Sequence, residues 1–455
     1  MGALGRVVVI GNSFAGLLTA SALADHADNV TIVDRDRVPD EPMFRGGVPQ
    51  GRHTHVLLAA GRRTLETLLP GVLAQLATVG VQEVAIPRDI VSLQGGRWVR
   101  RTADGTTVLT GTRPLLEHIV RQRVLSDPRI AAVDAAEVVG LAGDRDRVRG
   151  VLVRRRGGVG VPGLLEADLV VDASGRGSRM PQWLRAIGAA PPDEERVEAG
   201  LAYATRAYKT TAELDYKGIY LMSDRRLPRA ALVMPNEEPG AYLITLSGRA
   251  GDEPPTDPDG YEAFAAGLPH SIVREWIAEA VPQGPPVGFR NTANIRRRYD
   301  RLRDWPAGLL VVGDAACTFN PVYAQGITVA AFGAQAVKDA LARGERSTAH
   351  LQRLVAAAAE QACAIAAGAD KSLPRATGNA VRRSMVDRAA GWYVRRVEAH
   401  AACNPVVGQP FLEVLELVRP MGALLGWPVL RTVLFRRVRP PLAEPPLNPE
   451  PVSSP

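Results

Sequence analysis

The sequence predicts an α/β fold: a Rossmann-like parallel-sheet domain, a mixed β-sheet inserted into it, and helices at the C-terminal end. Three observations predict it. Residues 6–36 read as strand, glycine turn, helix, strand and acid. Two later stretches, around Asp172 and around Gly313, repeat a buried strand that runs into a glycine turn. Between them, residues 198–250 alternate apolar and polar as strands of a half-buried sheet do.

The opening unit carries the most chemistry. Arg6-Val7-Val8-Val9-Ile10 is β-branched and apolar, so it reads as a buried strand. Gly11-Asn12-Ser13-Phe14-Ala15-Gly16 follows, then a helical pattern (Leu17, Leu18, Ala20, Leu23) and a strand, Asn29 to Val33, ending on Asp34. Gly11 permits the turn, and Gly16 lets the helix approach the strand. The free N–H groups of the helix start face a pyrophosphate, favoured by the helix dipole. Asp34 stands where a carboxylate accepts ribose hydroxyls. Ser13 occupies the place of the second glycine; it is small, and its hydroxyl can donate to a phosphate.

Length and composition bound the rest. A chain of 455 residues calls for more than one domain, and 46% hydrophobic residues suffice for a large core. The net charge of +7 comes from dispersed arginines interleaved with acids, and aromatics are only 5%, which argues against nucleic acid as a partner. Cys317, Cys363 and Cys403 are widely spaced and suit neither a disulfide framework nor a metal site. No apolar run reaches the length of a membrane span, and the first strand at residue 6 leaves no room for a signal peptide. A cytoplasmic location is expected.

The remaining elements follow in order. Residues 37–55 form a long loop holding Arg45, Gln50, Arg52, His53 and His55; it reads as a lid over an anionic ligand. Residues 56–70 read as a helix, and 77–110 as short strands of inserted antiparallel sheet. Thr112-Arg113-Pro114 opens a helix, with Arg113 at its N-terminus. Residues 130–156 read as strands. Gly158-Val159-Gly160-Val161-Pro162-Gly163 matches a nucleotide fingerprint letter for letter, but Pro162 and the absence of a following helix make it a hairpin tip. Ala167 to Asp172 leads into Ala173-Ser174-Gly175-Arg176. Tyr261–Leu268 and Ile272–Ala280 read as helices, and 287–300 as strand. Leu309 to Val312 enters Gly313-Asp314, and Asn320 to Gly326 opens a long helix near Ile327. Residues 346–402 and 410–436 read as helices, and the Pro-rich tail from 438 as disordered.

Taken together, the opening unit with Asp34, the Asp172-Ala173-Ser174-Gly175-Arg176 turn, and Gly313-Asp314 with Asn320-Pro321 and Gln325-Gly326 resemble FAD-dependent monooxygenases of the aromatic-hydroxylase superfamily. The Arg45-Gly46-Gly47-Val48-Pro49-Gln50 stretch with His53 and His55 looks like the branch that contains polyketide epoxidases of polyether pathways. The resemblance covers residues 5 to about 435. It implies an FAD-binding domain from 1–75, 110–185 and 300–345, a substrate domain from 76–109 and 186–299, a helical region at 346–437 and a tail at 438–455.

The resemblance also assigns roles. Gly11, Ser13, Phe14, Ala15 and Gly16 would hold the pyrophosphate, and Asp34 the adenosine ribose, with Arg35 beside it. Arg45 and Gln50 of the loop, Val138, Asp172 and Gly175 would complete the nucleotide side. Arg113 would contact the ribityl–phosphate region, Asp314 a flavin-side hydroxyl or phosphate, and Pro321, Gln325, Gly326 and Ile327 the flavin's pyrimidine edge. Tyr203, Tyr220, Met234 and Ala324 are the pocket candidates. No metal and no protein catalytic residue is expected, because the flavin carries the chemistry. NADPH or NADH would visit transiently. The implied reaction is oxygen insertion, by epoxidation or hydroxylation, into an apolar, polyketide-type molecule, in a monomer or homodimer. The chain departs from the family at Ala324, where relatives carry Gly. That methyl leaves room for a second implication, a non-redox cyclase performing cycloaddition-type ring formation with FAD as a scaffold.

Overall fold

Residues 4–103, 105–222, 228–373, 375–381 and 385–449 are described by the computed structural model. Strand Arg6–Ile10 lies at the centre of a five-stranded parallel sheet. It pairs with Asn29–Val33 on one side and Leu169–Asp172 on the other; Ile130–Val133 and Leu309–Val311 form the edges. The sheet is covered on both faces, which is why its strands are continuous β-branched runs rather than alternating ones. On one face the helices Phe14–Ala24, Arg113–Leu125 and Gly326–Ala342 pack over Val7, Val9 and Ile32. On the other, Ala136–Gly143, Val148–Arg155 and Gly163–Glu166 form an antiparallel meander over Val8, Ile10 and Val170. The fingerprint look-alike at 158–163 is the connection between the last two of these, with Val159 and Val161 exposed.

The second sheet has seven strands in the order Val281–Phe289, Leu201–Lys209, Ala241–Arg249, Ala230–Pro235, Gly218–Leu221, Ile90–Gln94, Arg97–Trp98. Its alternate residues divide cleanly. Ala204, Tyr208, Ile244, Leu246, Ile219 and Val233 pack beneath helices Pro258–Ala265 and Ile272–Ala278. Tyr203, Thr245, Ser247, Leu232, Met234 and Tyr220 face the opposite way, into a cavity. Period-2 alternation thus sorts one face to core and one to site.

Several expectations are corrected. Gln82–Ile86 and Thr106–Thr110 do not join the large sheet but pair with each other and, through Thr106–Thr110, with Val56–Leu57. The expected helix over 56–70 is consequently shortened to Ala59–Leu68, and a further helix, Val72–Thr78, fills the gap before the expected strand region and overlaps its first two residues. The strand expected at 287–300 is two strands, Val281–Phe289 and Asn294–Arg297. The tail through residue 449 is held rather than disordered: the buried Arg101 guanidinium donates to the carbonyls of Pro446 and Leu447, and Leu442 packs against the second sheet's core. Residues 450–455 lie outside the described residues. The helical stretch expected at 346–402 contains Thr348–Ala358, Glu360–Ser372 and Met385–Ala401, with residues 374 and 382–384 likewise outside. Pro405–Leu415, Met421–Leu425 and Trp427–Phe435 complete the C-terminal helices around Val397, Val407, Val414, Val429 and Val433.

Candidate functional site

Between the two sheets runs one cavity of about 2190 Å³. A single ligand pocket is ordinarily about 300–1,000 Å³, so this one has room for two molecules. It begins at the tip of Arg6–Ile10, where Gly11, Asn12, Ser13, Phe14 and Ala15 form the wall. Gly11 has φ +109°, and a Cβ there would meet the Ala173 carbonyl at 2.6 Å. A Cβ on Gly16 would lie 1.8 Å from the Gly11 carbonyl, so only glycine lets the helix start this close to the strand. Helix Phe14–Ala24 has no acid in its first turn and no side-chain cap, leaving its first N–H groups for a ligand.

The cationic frame around this turn is built on Glu117. Arg113, Glu117 and Arg121 share one face of helix Arg113–Leu125, and Glu117 takes hydrogen bonds from the Ser13 hydroxyl (2.6 Å), Arg121 (2.6 Å), Arg113 (3.3 Å) and Arg45. Arg113 also donates to Ser13 Oγ at 2.9 Å, and Arg45 to the Asn12 carbonyl at 2.9 Å. Burial alone would raise the Glu117 carboxyl, but Arg113, Arg45, Arg121 and Ser13 hold it below the usual carboxylate range. Asp34 accepts from the Asn12 N–H at 2.7 Å, and Arg45 reaches it at 3.5 Å. Three guanidiniums against two carboxylates, plus a helix N-terminus, leave the turn suited to an anion. The spacing of Arg113, Glu117 and Arg121 at i, i+4 and i+8 was a readable signal that motif matching passes over.

At the far end of the cavity the Asn320–Gly326 loop is clamped from behind. Asp370, fully buried on helix Glu360–Ser372, accepts from Asn294 Nδ2 (2.6 Å), Asn320 Nδ2 (3.1 Å) and the Tyr323 hydroxyl (2.5 Å). Burial pushes this carboxyl up, against the pull of those donors. No sequence pattern ties Asp370 to Tyr323. The clamp holds Ala324 at φ 53°, ψ 20°, a left-handed conformation, where the residue lines the cavity and packs beside Phe319 and Val329. Gln325 follows, buried, its Oε1 lacking a partner among the described residues. Asp314 lines the wall beside the start of helix Gly326–Ala342, and burial raises its carboxyl although Arg113, Arg176 and Arg297 oppose the shift.

The middle of the cavity is apolar on one side. Tyr203, Tyr220 and Met234, the pocket candidates, line the cavity from the face of the mixed sheet turned away from its helices. The loop of residues 37–55 reaches this wall too. His53 is buried edge-on to Tyr203 (centroids 4.7 Å) and Phe289 (5.7 Å), and its Nδ1 lies 2.9 Å from Thr205 Oγ1. Burial lowers the His53 pKa to about 4 and, with Arg113 nearby, that of His55 to about 3, so both are neutral at physiological pH.

The structure therefore brings Gly11, Ser13, Phe14, Ala15, Asp34, Arg35, Arg45, Gln50, Arg113, Val138, Gly175, Gly313, Asp314, Pro321, Gln325, Gly326 and Ile327 to the lining of one cavity. Two expected ligands are not on it. Gly16 is a packing residue, and Asp172 is turned inward, accepting from the Ser174 N–H and hydroxyl and the Ser178 hydroxyl. Distance in sequence also hid a proximity: Cys317 and Cys363, both reduced, have their sulfurs 2.8 Å apart. Among the described residues no group of three or more His, Cys, Asp or Glu is placed to hold a metal, and no helix is long and apolar enough to cross a membrane.

The fit to FAD rests on three features: the close glycine turn with its uncapped helix, the excess of guanidinium beside it, and the orphaned Gln325 acceptor at the opposite end of the same space. Comparison with known proteins agrees. The family described as "FAD binding domain" matches residues 5–372. Protein Rv3254 of Mycobacterium tuberculosis is 31% identical over 453 residues, covering 95% of this chain and 94% of that protein. The 6-methylpretetramide 4-monooxygenase of Streptomyces rimosus is 28% identical over 384 residues, covering 76% and 77%. Among solved structures, the flavin-dependent brominase Bmp2 superposes with TM-score 0.62 at 14% identity over 90% of this chain and 92% of that one. PqsL of P. aeruginosa in complex with 2-aminobenzoylacetate gives 0.60 at 17% identity over 79% and 92%. These structural likenesses bear on fold.

Proposed function

Since the chain belongs to the FAD-binding domain family, within the aromatic-hydroxylase-like flavin monooxygenases, we propose that it inserts one oxygen atom into an apolar, polyketide-type molecule at the expense of NAD(P)H and O₂. FAD supplies the redox and oxygen chemistry. The chain's own residues bind and orient. The Phe14 helix start with Arg45 and Arg113 would hold the pyrophosphate and Asp34 the ribose, and the Tyr323–Asp370 clamp fixes the loop whose Gln325 acceptor would be free for the ring. Tyr203, Tyr220 and Met234 form an apolar wall that excludes water from the reacting side.

The observation that carries this reading is the continuity of the cavity, polar at the Gly11 turn and apolar at the mixed sheet, with the Ala324 loop at its far end. Oxygen transfer to an electron-rich carbon needs no protein base, and the nearby His53 and His55 are held neutral. The likeness to a 6-methylpretetramide 4-monooxygenase supports oxygen insertion as the reaction.

The test mixes FAD-loaded protein with NADPH in air and a polyene or polycyclic substrate. Flavin absorbance should bleach and recover, and the product should be heavier by one oxygen atom. An isomeric product formed without NAD(P)H or O₂ would replace this reading by the cyclase, whose support is the alanine at position 324 in the cavity lining. A product formed only with added halide would redirect it to halogenation.

A further inference from the structure

Helix Trp427–Phe435 has two apolar faces. One, with Val429 and Val433, is buried against Val397, Val407 and Val414. The other carries Trp427, Leu434 and Phe435, which are 68%, 43% and 75% exposed, at i, i+7 and i+8 around the exposed Arg431. The preceding turn adds Met421 and Leu425, and the neighbouring helix adds Trp392, all exposed. A helix that is apolar all round is ordinarily covered on both sides, and a patch of this kind marks an interaction surface.

Charge identifies what covers it. From Leu417 to Ala443 the sequence holds Arg419, Arg431, Arg436, Arg437 and Arg439, and no Asp, Glu or Lys. Arg419 is paired with Glu413. Arg431, Arg436, Arg437 and Arg439 are exposed and form no ion pair with the described residues. A second copy docking through this patch would set the same arginines against one another, because a two-fold interface is self-complementary. An anionic lipid surface supplies phosphate for the guanidiniums and hydrocarbon for Trp427, Leu434 and Phe435. The location agrees: Met421 and Val394 are exposed and also line the cavity, with Leu424, Phe411 and Leu412 beside them.

We propose that the C-terminal helices seat the protein on an anionic membrane surface, in the plane of the headgroups, with the cavity opening toward the acyl chains. A bilayer-dissolved apolar molecule then enters without crossing water. The docking itself does not depend on the proposed oxygen chemistry, and its test is a binding measurement.

FAD-loaded full-length protein is sedimented with vesicles of phosphatidylcholine, with and without 30% (roughly physiological) phosphatidylglycerol. Binding is expected to the anionic vesicles only and to weaken with salt. The triple variant Arg431→Glu, Arg436→Glu, Arg437→Glu should lower the partition coefficient on the order of 100-fold or more. Trp427→Ser with Leu434→Ser and Phe435→Ser should abolish it while flavin content and absorbance stay unchanged. Brominated lipids should quench wild-type tryptophan fluorescence, and Trp427→Phe should lose most of that quenching. The proposal is overturned if the wild type ignores anionic vesicles or if neither triple variant alters binding. It is equally overturned if the protein is a dimer by light scattering that the apolar triple variant dissociates, with no vesicle binding.

Discussion

Glu416 offers the sharpest quantitative test of the cavity's interior. It lies at the end of helix Pro405–Leu415, is only 6% exposed, lines the cavity, and accepts the Ala59 N–H at 2.9 Å. Burial raises its pKa from 4.5 to about 7, with the Ala59 bond opposing. Between those two values the folded protein holds a proton that the unfolded chain has released, so the Glu416 contribution to stability falls as pH rises through that window. Each pH unit is worth about 1.4 kcal/mol, so the loss is about 3 kcal/mol once pH exceeds 7. Glu416→Gln copies the protonated carboxyl: its carbonyl can still accept from Ala59, and its amide replaces the acidic proton. The variant should match the wild type near pH 4.5 and exceed it by about 3 kcal/mol at pH 8. An unfolding entropy of about 2 cal/mol/K per residue converts this to a melting-temperature gap of about 3 °C, and under about 1 °C at pH 5. The assay is thermal unfolding of both FAD-loaded proteins from pH 5 to 8. A gap that does not widen with pH, or a less stable variant at pH 8, refutes the reasoning.

The other predictions concern the nucleotide and flavin ends. Arg113→Met removes charged hydrogen bonds to Ser13 and Glu117 as well as a guanidinium from the anion turn, and should weaken FAD at least about 10-fold in a fluorescence titration. Asp172→Asn should cost about 1–3 kcal/mol of stability by disturbing three inward hydrogen bonds. Its FAD affinity should stay within about threefold, because Asp172 is off the cavity wall; a selective loss of affinity would restore it as a ligand. Ala324→Gly relieves a left-handed alanine and should gain about 0.5–1 kcal/mol, raising the melting temperature by about 1 °C or less; a lower melting temperature would show that the methyl contributes packing.

What could be read from the chain was whatever its local pattern encodes. The βαβ unit is local: turn, helix start and Asp34 lie within residues 6–34, and the structure assembles them as the pattern predicts. The mixed-sheet face holding Tyr203, Tyr220 and Met234 was legible because each strand alternates. What escaped depends on partners far along the chain. Nothing in Gln82–Ile86 or Thr106–Thr110 says that they pair with each other apart from the large sheet. Asp172 misled because an acid after a strand has two uses, binding a ligand or closing its own turn, and only the orientation of its carboxylate distinguishes them. The Asp370 clamp and the tail's hold on Arg101 join residues 47 and 346 positions apart, beyond any periodic signal.

The strand order of the parallel sheet carries a consequence for how the protein is made. Arg6–Ile10 leaves the ribosome first, yet its neighbour Leu169–Asp172 and that strand's partner Leu309–Val311 come much later, and Gly326 later still. At about 5–20 residues per second, roughly 15–60 s separate the second strand from the Asn320–Gly326 loop. Arg6–Ile10 can pair with Asn29–Val33 at once, but the other side of the sheet is completed only when Leu309–Val311 emerges. The cavity wall is therefore incomplete until Gly326 has been made, and its Asp370 clamp comes later still.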